Sequence, residues 1–324
     1  MIHPLPPGTR DVLPDEMREL RQLGTRLHAV FDRAGYGEVW TPALEYEEVL
    51  ERGDHRASSA AFRMFDERGK VLALRSDATV PIARLVANRY PDATPPLRLS
   101  YFAHAYRSVQ RGSGHSREFL QGGIELIGAP TPEGDAEVIA LTCEALSEAG
   151  LRRHRIGLGD ESLLRTLLAS YEVPEEAWGP LLDCLWRRDL VGLEARVDRL
   201  DVPASARDVL VKLPRLRGGP EILGKADGPV ASAVENLRAI HELLAERGVA
   251  DRVIFDLGLV RELGYYTGAV FEVYDPAVGF AIGGGGRYDE LLGRFGRSLP
   301  ACGVALDVHR VHVAQMEEER QGDL

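Results

Sequence analysis

Between Leu13 and Tyr36 apolar residues recur at three- and four-residue steps, at Leu20, Leu23, Leu27 and Val30, which predicts an amphipathic helix. Pro14, Asp15 and Glu16 stand where a helix start favours them, and Gly35 follows its end. "GEVWTPALEY" then reads as a short strand broken by Pro42. "FRMFDERGKVLALR" alternates on both sides of "ERGK" and predicts a hairpin. In "SDATVPIARLVANRY", Asp77 can cap a helix with Pro81 in its first turns. "PLRLSYFAHAYRS" and "REFLQGGIELIG" read as strands joined by the polar, glycine-bearing "VQRGSGHS", a long hairpin with a mobile tip. Residues 133–150 read as a helix ending at Gly150.

From about 160 to 248 the pattern changes to leucine, alanine and charge at helical spacing. "ESLLRTLLASYEV", "EAWGPLLDCLWRRDL", "ARDVLVKLPRL" and "SAVENLRAIHELLAERG" are the expected helices. Strands resume at "RVIFDLGLV" and "GAVFEVYD", "FAIGGGGRYDELLGRF" and "ACGVALDVHRV" follow, and the charged end "EEERQGDL" reads as a frayed tail. Hairpins dominate and no regular β–α–β rhythm appears. The expected fold class is therefore α+β, an antiparallel sheet flanked by helices with a helical insertion. The expected units are a discontinuous core, 1–155 and 250–312, a mainly helical insertion, 156–249, and a tail, 313–324.

Composition removes several function classes. Net charge is −11, so nucleic acid is not expected as the main partner. No apolar run approaches the roughly 20 residues that cross a bilayer, so no membrane is expected. The first residues hold no basic segment followed by an apolar core, so no export signal is expected. Cys143, Cys184 and Cys302 lie far apart and form no C-x-x-C pair, so neither a zinc site nor a disulfide frame is expected and a reduced, cytoplasmic setting fits. No metal and no cofactor is indicated, since the histidines form no H-x-x-x-H pair.

Four constellations can bear chemistry. Gln121 and Glu125 share a strand face if no bulge intervenes, and Arg107 stands across the hairpin. A carboxylate and an amide on one face make an acceptor array for a donor-rich ring; the plainer reading is a solvated sheet face. Asp77 is either a helix cap or an acceptor for an ammonium group, with Thr79 one turn inside. "AIGGGGRYDELLG" places four glycines before an expected helix but has neither the P-loop Lys nor the dinucleotide spacing. Those glycines let backbone approach backbone or a ligand, with Tyr288 at the helix start facing that space. "RELGYYTGAVFEVY" sets Arg261, Tyr265, Tyr266 and Thr267 beside an alternating strand.

Taken in order, "LPPGTRDVLPDE", "LRSDATVPIAR", "YRSVQRGSGHSREFLQGGIE", "LVRELGYYTGAVFE", "GGGGRYDELLG" and "PACGVALDVHR" resemble the catalytic core of class II histidyl-tRNA synthetase. The tyrosine and "GGRYD" stretches look like that family's two histidine-pocket signatures. The chain also departs from the enzyme. Val109 follows Arg107 where the enzyme has a glutamate, and Asp307 and His309 replace a glycine and a glutamate before Arg310. Gly264 stands in the first signature, "RELGYY", where the enzyme reads Arg-Gly-Leu-Asp-Tyr-Tyr. The enzyme's anticodon-binding domain, roughly a hundred residues, has no counterpart after the third motif. Losing carboxylates removes oxygen ligands for a metal-bridged triphosphate.

A kept amino-acid pocket with an eroded ATP apparatus resembles the regulatory subunits of ATP phosphoribosyltransferase. The resemblance implies a non-catalytic chain serving a short-form catalytic subunit in histidine biosynthesis. It also implies a hetero-octamer built on a synthetase-like self-dimer, and feedback by free histidine. By the same resemblance the histidine site comprises Asp77, Thr79, Arg107, Gln121, Glu125, Arg261, Tyr265, Tyr266 and Tyr288, and Arg310 is a residual nucleotide contact. Glu125 would accept an imidazole N–H, Tyr265 or Tyr266 would meet the other nitrogen, Asp77 and Gln121 would hold the ammonium, and Arg107 or Arg261 would pair with the carboxylate. The competing expectation is a truncated synthetase-like paralogue that activates histidine with ATP.

Overall fold

The computed structural model describes residues 4–55, 61–108, 116–261 and 263–322. The hairpin tip with Val109 lies outside the described residues, as does Glu262 of the tyrosine signature. The first half runs α1 (Pro14–Arg33), β1 (Gly37–Glu38), β2 (Leu44–Tyr46), α2 (Glu47–Gly53), β3 (Arg63–Phe65), β4 (Val71–Leu74), α3 (Thr79–Arg89), β5 (Leu97–Tyr106), β6 (Glu118–Ile127) and α4 (Glu133–Glu148). β7 (Arg155–Asp160) leads into α5 (Ser162–Ser170), α6 (Glu175–Trp186), α7 (Leu190–Val197), α8 (Ala204–Lys212), β8 (Arg217–Gly218) and α9 (Ala231–Glu246). The chain then forms β9 (Val253–Asp256), β10 (Ala269–Tyr274), β11 (Ala281–Arg287), β12 (Ala301–Asp307) and α10 (Val308–Gly322).

Among the described residues the strands make a nine-stranded sheet, β1-β5-β6-β12-β11-β10-β7-β9-β8, and a small sheet, β2-β4-β3. Antiparallel pairing dominates the large sheet; β1–β5 and β7–β9 are its parallel pairs. The architecture is α+β with helices against the sheet, as expected. α1 buries Leu20, Leu23, Leu27, Val30 and Phe31, the face its spacing marks out. Pro14 opens it with the missing N–H costing nothing, and Gly35 follows it at φ +81°.

β6 is buried on both sides, and its two faces serve different purposes. Ile124 and Leu126 enter the large helix-side core with α1, α4 and α9. Gln121 and Glu125 point the other way, where β12, β11 and β10 run alongside β6 in the sheet. A second, smaller core beneath α2 and α3 includes Leu50, Val80, Ile82, Tyr101, Tyr265 and Tyr288. Each aliphatic side chain buried in these cores contributes about 1.5–3 kcal/mol.

Three expectations change. The four glycines, Gly283–Gly286, lie inside central strand β11, so Tyr288 follows a strand rather than opening a helix. Only a 3-10 turn, Leu292–Phe295, comes after it. Gly283–Gly286 pair with β10 on one side and β12 on the other, and pairing overrides glycine's poor strand propensity. Second, the charged end is helical through Gly322. The Glu318 carboxylate accepts the backbone N–H groups of Arg152 and Arg153, each at 2.9 Å, so a tertiary contact holds the end that local composition marks as frayed. Third, β7 starts at Arg155 and pairs with β10 and β9, so residues at the expected start of the insertion belong to the main sheet. The insertion itself is helical in α5 to α9 and includes α7, which lay outside the expected helices.

Candidate functional site

One cavity of about 540 Å3 opens between the sheet and α3, within the range of small-molecule sites. Glu125, 1 % exposed, forms its floor. The Thr79 hydroxyl donates to Glu125 Oε1 at 2.7 Å, and the Tyr288 hydroxyl donates to Oε2. Thr79 is delivered by the first turn of α3, where Asp77 Oδ1 accepts the Val80 N–H at 3.1 Å. Asp77 thus supports the helix start and forms a wall of the cavity at once.

Gln121, four residues before Glu125 on the same strand face, is buried, and its Oε1 has no protein partner among the described residues. A buried acceptor without a donor is costly unless something else fills the place. Tyr265, Tyr266 and Tyr288 stand together. The Tyr265 ring centroid lies 4.9 Å from that of Tyr266 and 5.7 Å from that of Tyr288, the second pair edge-on.

Arg261 Nη1 donates to Glu272 Oε1 at 2.8 Å, and Tyr274 donates to the other oxygen of Glu272. The Nε of Arg261 is buried and has no partner among the described residues. Arg107 lies with its guanidinium 5.0 Å from the Phe119 ring centroid and its Nε 3.3 Å from the Ser76 carbonyl. Arg310 occupies the far wall. It pairs with Asp307 at 3.5 Å, donates to the Ala281 carbonyl at 2.8 Å and rests over Phe280. Every site residue expected from the sequence therefore lines this cavity.

Glycines clear the floor. Gly303 is the β12 partner of Glu125, and a Cβ there would stand 1.8 Å from Glu125 Oε2 and 2.7 Å from the Ile124 carbonyl. At Gly284 a Cβ would meet Arg261 Nη1 at 2.7 Å. Gly303 of β12 thus gives room to Glu125, and Gly284 of the glycine run gives room to Arg261, while Gly283, Gly285 and Gly286 meet neighbouring strands. Gly303→Ala is expected to lower stability by about 1–3 kcal/mol through overpacking, read from thermal unfolding by circular dichroism. An unchanged melting curve would show that the Glu125 side chain moves aside freely.

Burial dominates the electrostatics. It pushes the Glu125 carboxyl up to about 8, opposed by the hydroxyls of Tyr288 and Thr79 and reinforced by nearby Asp77. It also raises Asp77, against the pull of the Val80 N–H and Arg107. Burial works against the charge on Arg261, and Tyr266 and Glu272 outweigh it. The result is a cavity with acidic groups and a partnerless amide oxygen at its base and guanidiniums on its walls. Such a set suits a zwitterion bearing a donor-rich ring.

Two large polar or aromatic lining residues, Glu272 and Trp186, lie outside the expected site set. Glu272 is the one charge in the alternating run "AVFEVY", and that alternation was a usable signal. Trp186, from the end of α6, reaches the cavity from the insertion. Its segment reads locally as a helix with a solvated face, and nothing nearby marks it as part of a site.

Comparison with known proteins places the chain. The histidyl-tRNA synthetase family model matches residues 8–311. The ATP phosphoribosyltransferase regulatory subunit of Desulforamulus reducens is 42% identical over 316 residues, 96% of this chain and 78% of that one. Its counterpart from Symbiobacterium thermophilum is 43% identical over 326 residues, covering 99% and 81%. Among solved structures, an ATP phosphoribosyltransferase regulatory subunit/histidyl-tRNA synthetase from Bacillus halodurans superposes with TM-score 0.90 at 33% identity, over 97% of this chain and 84% of that one. The chain therefore belongs to the family of ATP phosphoribosyltransferase regulatory subunits, proteins built on the histidyl-tRNA synthetase fold.

Proposed function

We propose that this chain is the non-catalytic regulatory subunit of ATP phosphoribosyltransferase, a pentosyl-transferring complex at the first step of histidine biosynthesis. It serves a short-form catalytic subunit and conveys feedback from histidine. The observation that bears most weight is the contrast within one cavity. At one end Glu125, Thr79 and Tyr288 form a closed hydrogen-bonded set, ready to receive a ring N–H. At the other, Arg310 is already engaged by Asp307 and the Ala281 carbonyl rather than waiting for phosphate. The Phe119 face, a surface on which a base could stack, is covered by the Arg107 guanidinium.

In this reading Glu125 accepts the imidazole N–H, and Tyr265 or Tyr266 meets the other nitrogen. Asp77 and the partnerless Gln121 oxygen take the ammonium. Arg107 and Arg261 supply the guanidiniums that face the carboxylate. A coupling of about 1–3 kcal/mol between this cavity and the catalytic partner is enough for feedback. The assembly is a hetero-octamer built on a dimer of this chain, and its setting is the cytoplasm. Among the described residues no helix is long and apolar enough to cross a membrane.

Assembly is checked on a sizing column with a purified short-form catalytic subunit. Co-elution at the mass of four copies of each chain is expected. Separate elution at micromolar concentrations would count against the regulatory reading.

A further inference from the structure

The cavity has a wall that the synthetase-like core does not supply. Trp186 is the last residue of α6 in the helical insertion, and its side chain lines the cavity together with Arg261 and Glu272. It is 40% exposed, a large apolar ring left at the mouth of a polar site. Its guanidinium neighbour Arg187 lies 5.8 Å from the ring centroid, on the chain segment that turns away from the helix.

The turn behind Trp186 is fixed to the sheet. Arg188 adopts φ +56°, a left-handed conformation that a non-glycine residue takes only when its surroundings hold it. The end of α6 holds it, with the Arg188 N–H donating to the Leu185 carbonyl at 2.9 Å and the Asp189 N–H to the Cys184 carbonyl at 2.8 Å. Its side chain then makes a paired contact with Asp256, Nη1 to Oδ1 at 3.1 Å and Nη2 to Oδ2 at 2.8 Å. Asp256 closes β9, is itself buried and also accepts the Gly258 N–H at 3.1 Å. It lies five residues before Arg261 in the chain. β9 lies one strand away from β10, which carries Glu272 and Tyr274. Glu272 and Tyr274 are in turn the pair that holds Arg261. The corner that carries Trp186 is thus anchored to the same sheet that carries the cavity wall.

We infer that Trp186 is a ligand-contacting, specificity-determining residue: the insertion lends its indole as the outer wall against which a flat-ringed amino acid closes in this cavity. The Arg188–Asp256 clip positions that wall. The insertion is therefore the part of the chain that senses whether the cavity is filled. This inference rests on the amino-acid reading of the cavity given above.

Histidine titrations of the full chain, followed by calorimetry and by tryptophan emission, test it. Three tryptophans are present, Trp40, Trp178 and Trp186. Trp186→Ala is expected to weaken histidine binding about tenfold, the worth of one aromatic contact, with the melting temperature of the ligand-free chain unchanged. Trp186→Phe keeps a ring and is expected to abolish the histidine-induced emission change, whereas Trp40→Phe, at an 86% exposed position, retains it. A Trp186→Ala chain that binds histidine within about twofold of wild type overturns the inference. So does an emission change that persists unaltered in Trp186→Phe. If the wild-type chain takes up no histidine at all, the amino-acid reading falls and the inference falls with it. If wild type binds and Trp186→Ala binds equally well, only the inference falls.

Discussion

Replacing Glu125 with alanine should lower the affinity of the purified chain for histidine about a hundredfold. Hydrogen bonds to charged groups are worth about 1.5–3 kcal/mol each, and Glu125 is the buried acceptor that the proposed site offers to the ring N–H. Truncation also leaves the hydroxyls of Thr79 and Tyr288 without their shared acceptor. Isothermal calorimetry reads the loss directly, and unchanged affinity would place the ligand elsewhere.

The same residue fixes the sign of a pH dependence. Burial holds the Glu125 carboxyl at about 8, and an imidazolium loses its proton near about 6.5. Between those values Glu125 is protonated and the free ring is neutral, so a complex sharing one proton forms without net proton exchange. As pH rises above about 8 both partners have lost their proton, binding must take one up, and affinity falls. As pH drops below about 6.5 both are protonated, binding must expel one, and affinity falls again. Histidine affinity should therefore peak between these limits, and Glu125→Gln should flatten the alkaline limb. In the ligand-free chain the carboxyl sits above its ordinary value. Its contribution to stability is thus present at acid pH and lost as pH rises through about 8.

Arg287→Met should cause the largest loss of stability, about 3–5 kcal/mol. Arg287 is 3% exposed and ends β11, and its Nε pairs with Asp135 of α4 at 2.9 Å. Its Nη1 reaches Asp289 at 2.9 Å and the Ala129 carbonyl at 3.2 Å. Burial pushes the Asp135 carboxyl up, and Arg287 is the charge that opposes the push. Methionine keeps the apolar stem but leaves a buried carboxylate without its cation. Thermal unfolding should fall by several degrees, while Asp135→Asn in the same background should recover part of the loss. Equal stability of Arg287→Met and wild type would mean that Asp135 is neutral in the fold.

Much of the site was legible because its geometry is local. Even spacing on one strand put Gln121 and Glu125 on one face, and three-to-four spacing marked the buried side of α1. Asp77 and Thr79 followed from the helix start that sets them. What sequence pattern misjudged depends on partners far along the chain. A glycine run announces close approach but not its partner, and here the partners are the backbones of β10 and β12 and the Arg261 side chain. The charged final segment is helical because Glu318 finds backbone N–H groups more than 160 residues away. Trp186 enters the cavity from the insertion through tertiary packing that no local periodicity encodes.

In the proposed function this chain governs a catalytic partner from an amino-acid cavity and performs no chemistry itself. Ribosyl transfer from phosphoribosyl pyrophosphate to ATP, measured with the purified short-form catalytic subunit, tests it most directly. The account predicts little turnover without this chain, turnover on adding it, suppression by histidine, and loss of that suppression in Glu125→Ala. Histidine-dependent pyrophosphate–ATP exchange by the chain alone, with no effect on the partner's turnover, would contradict it.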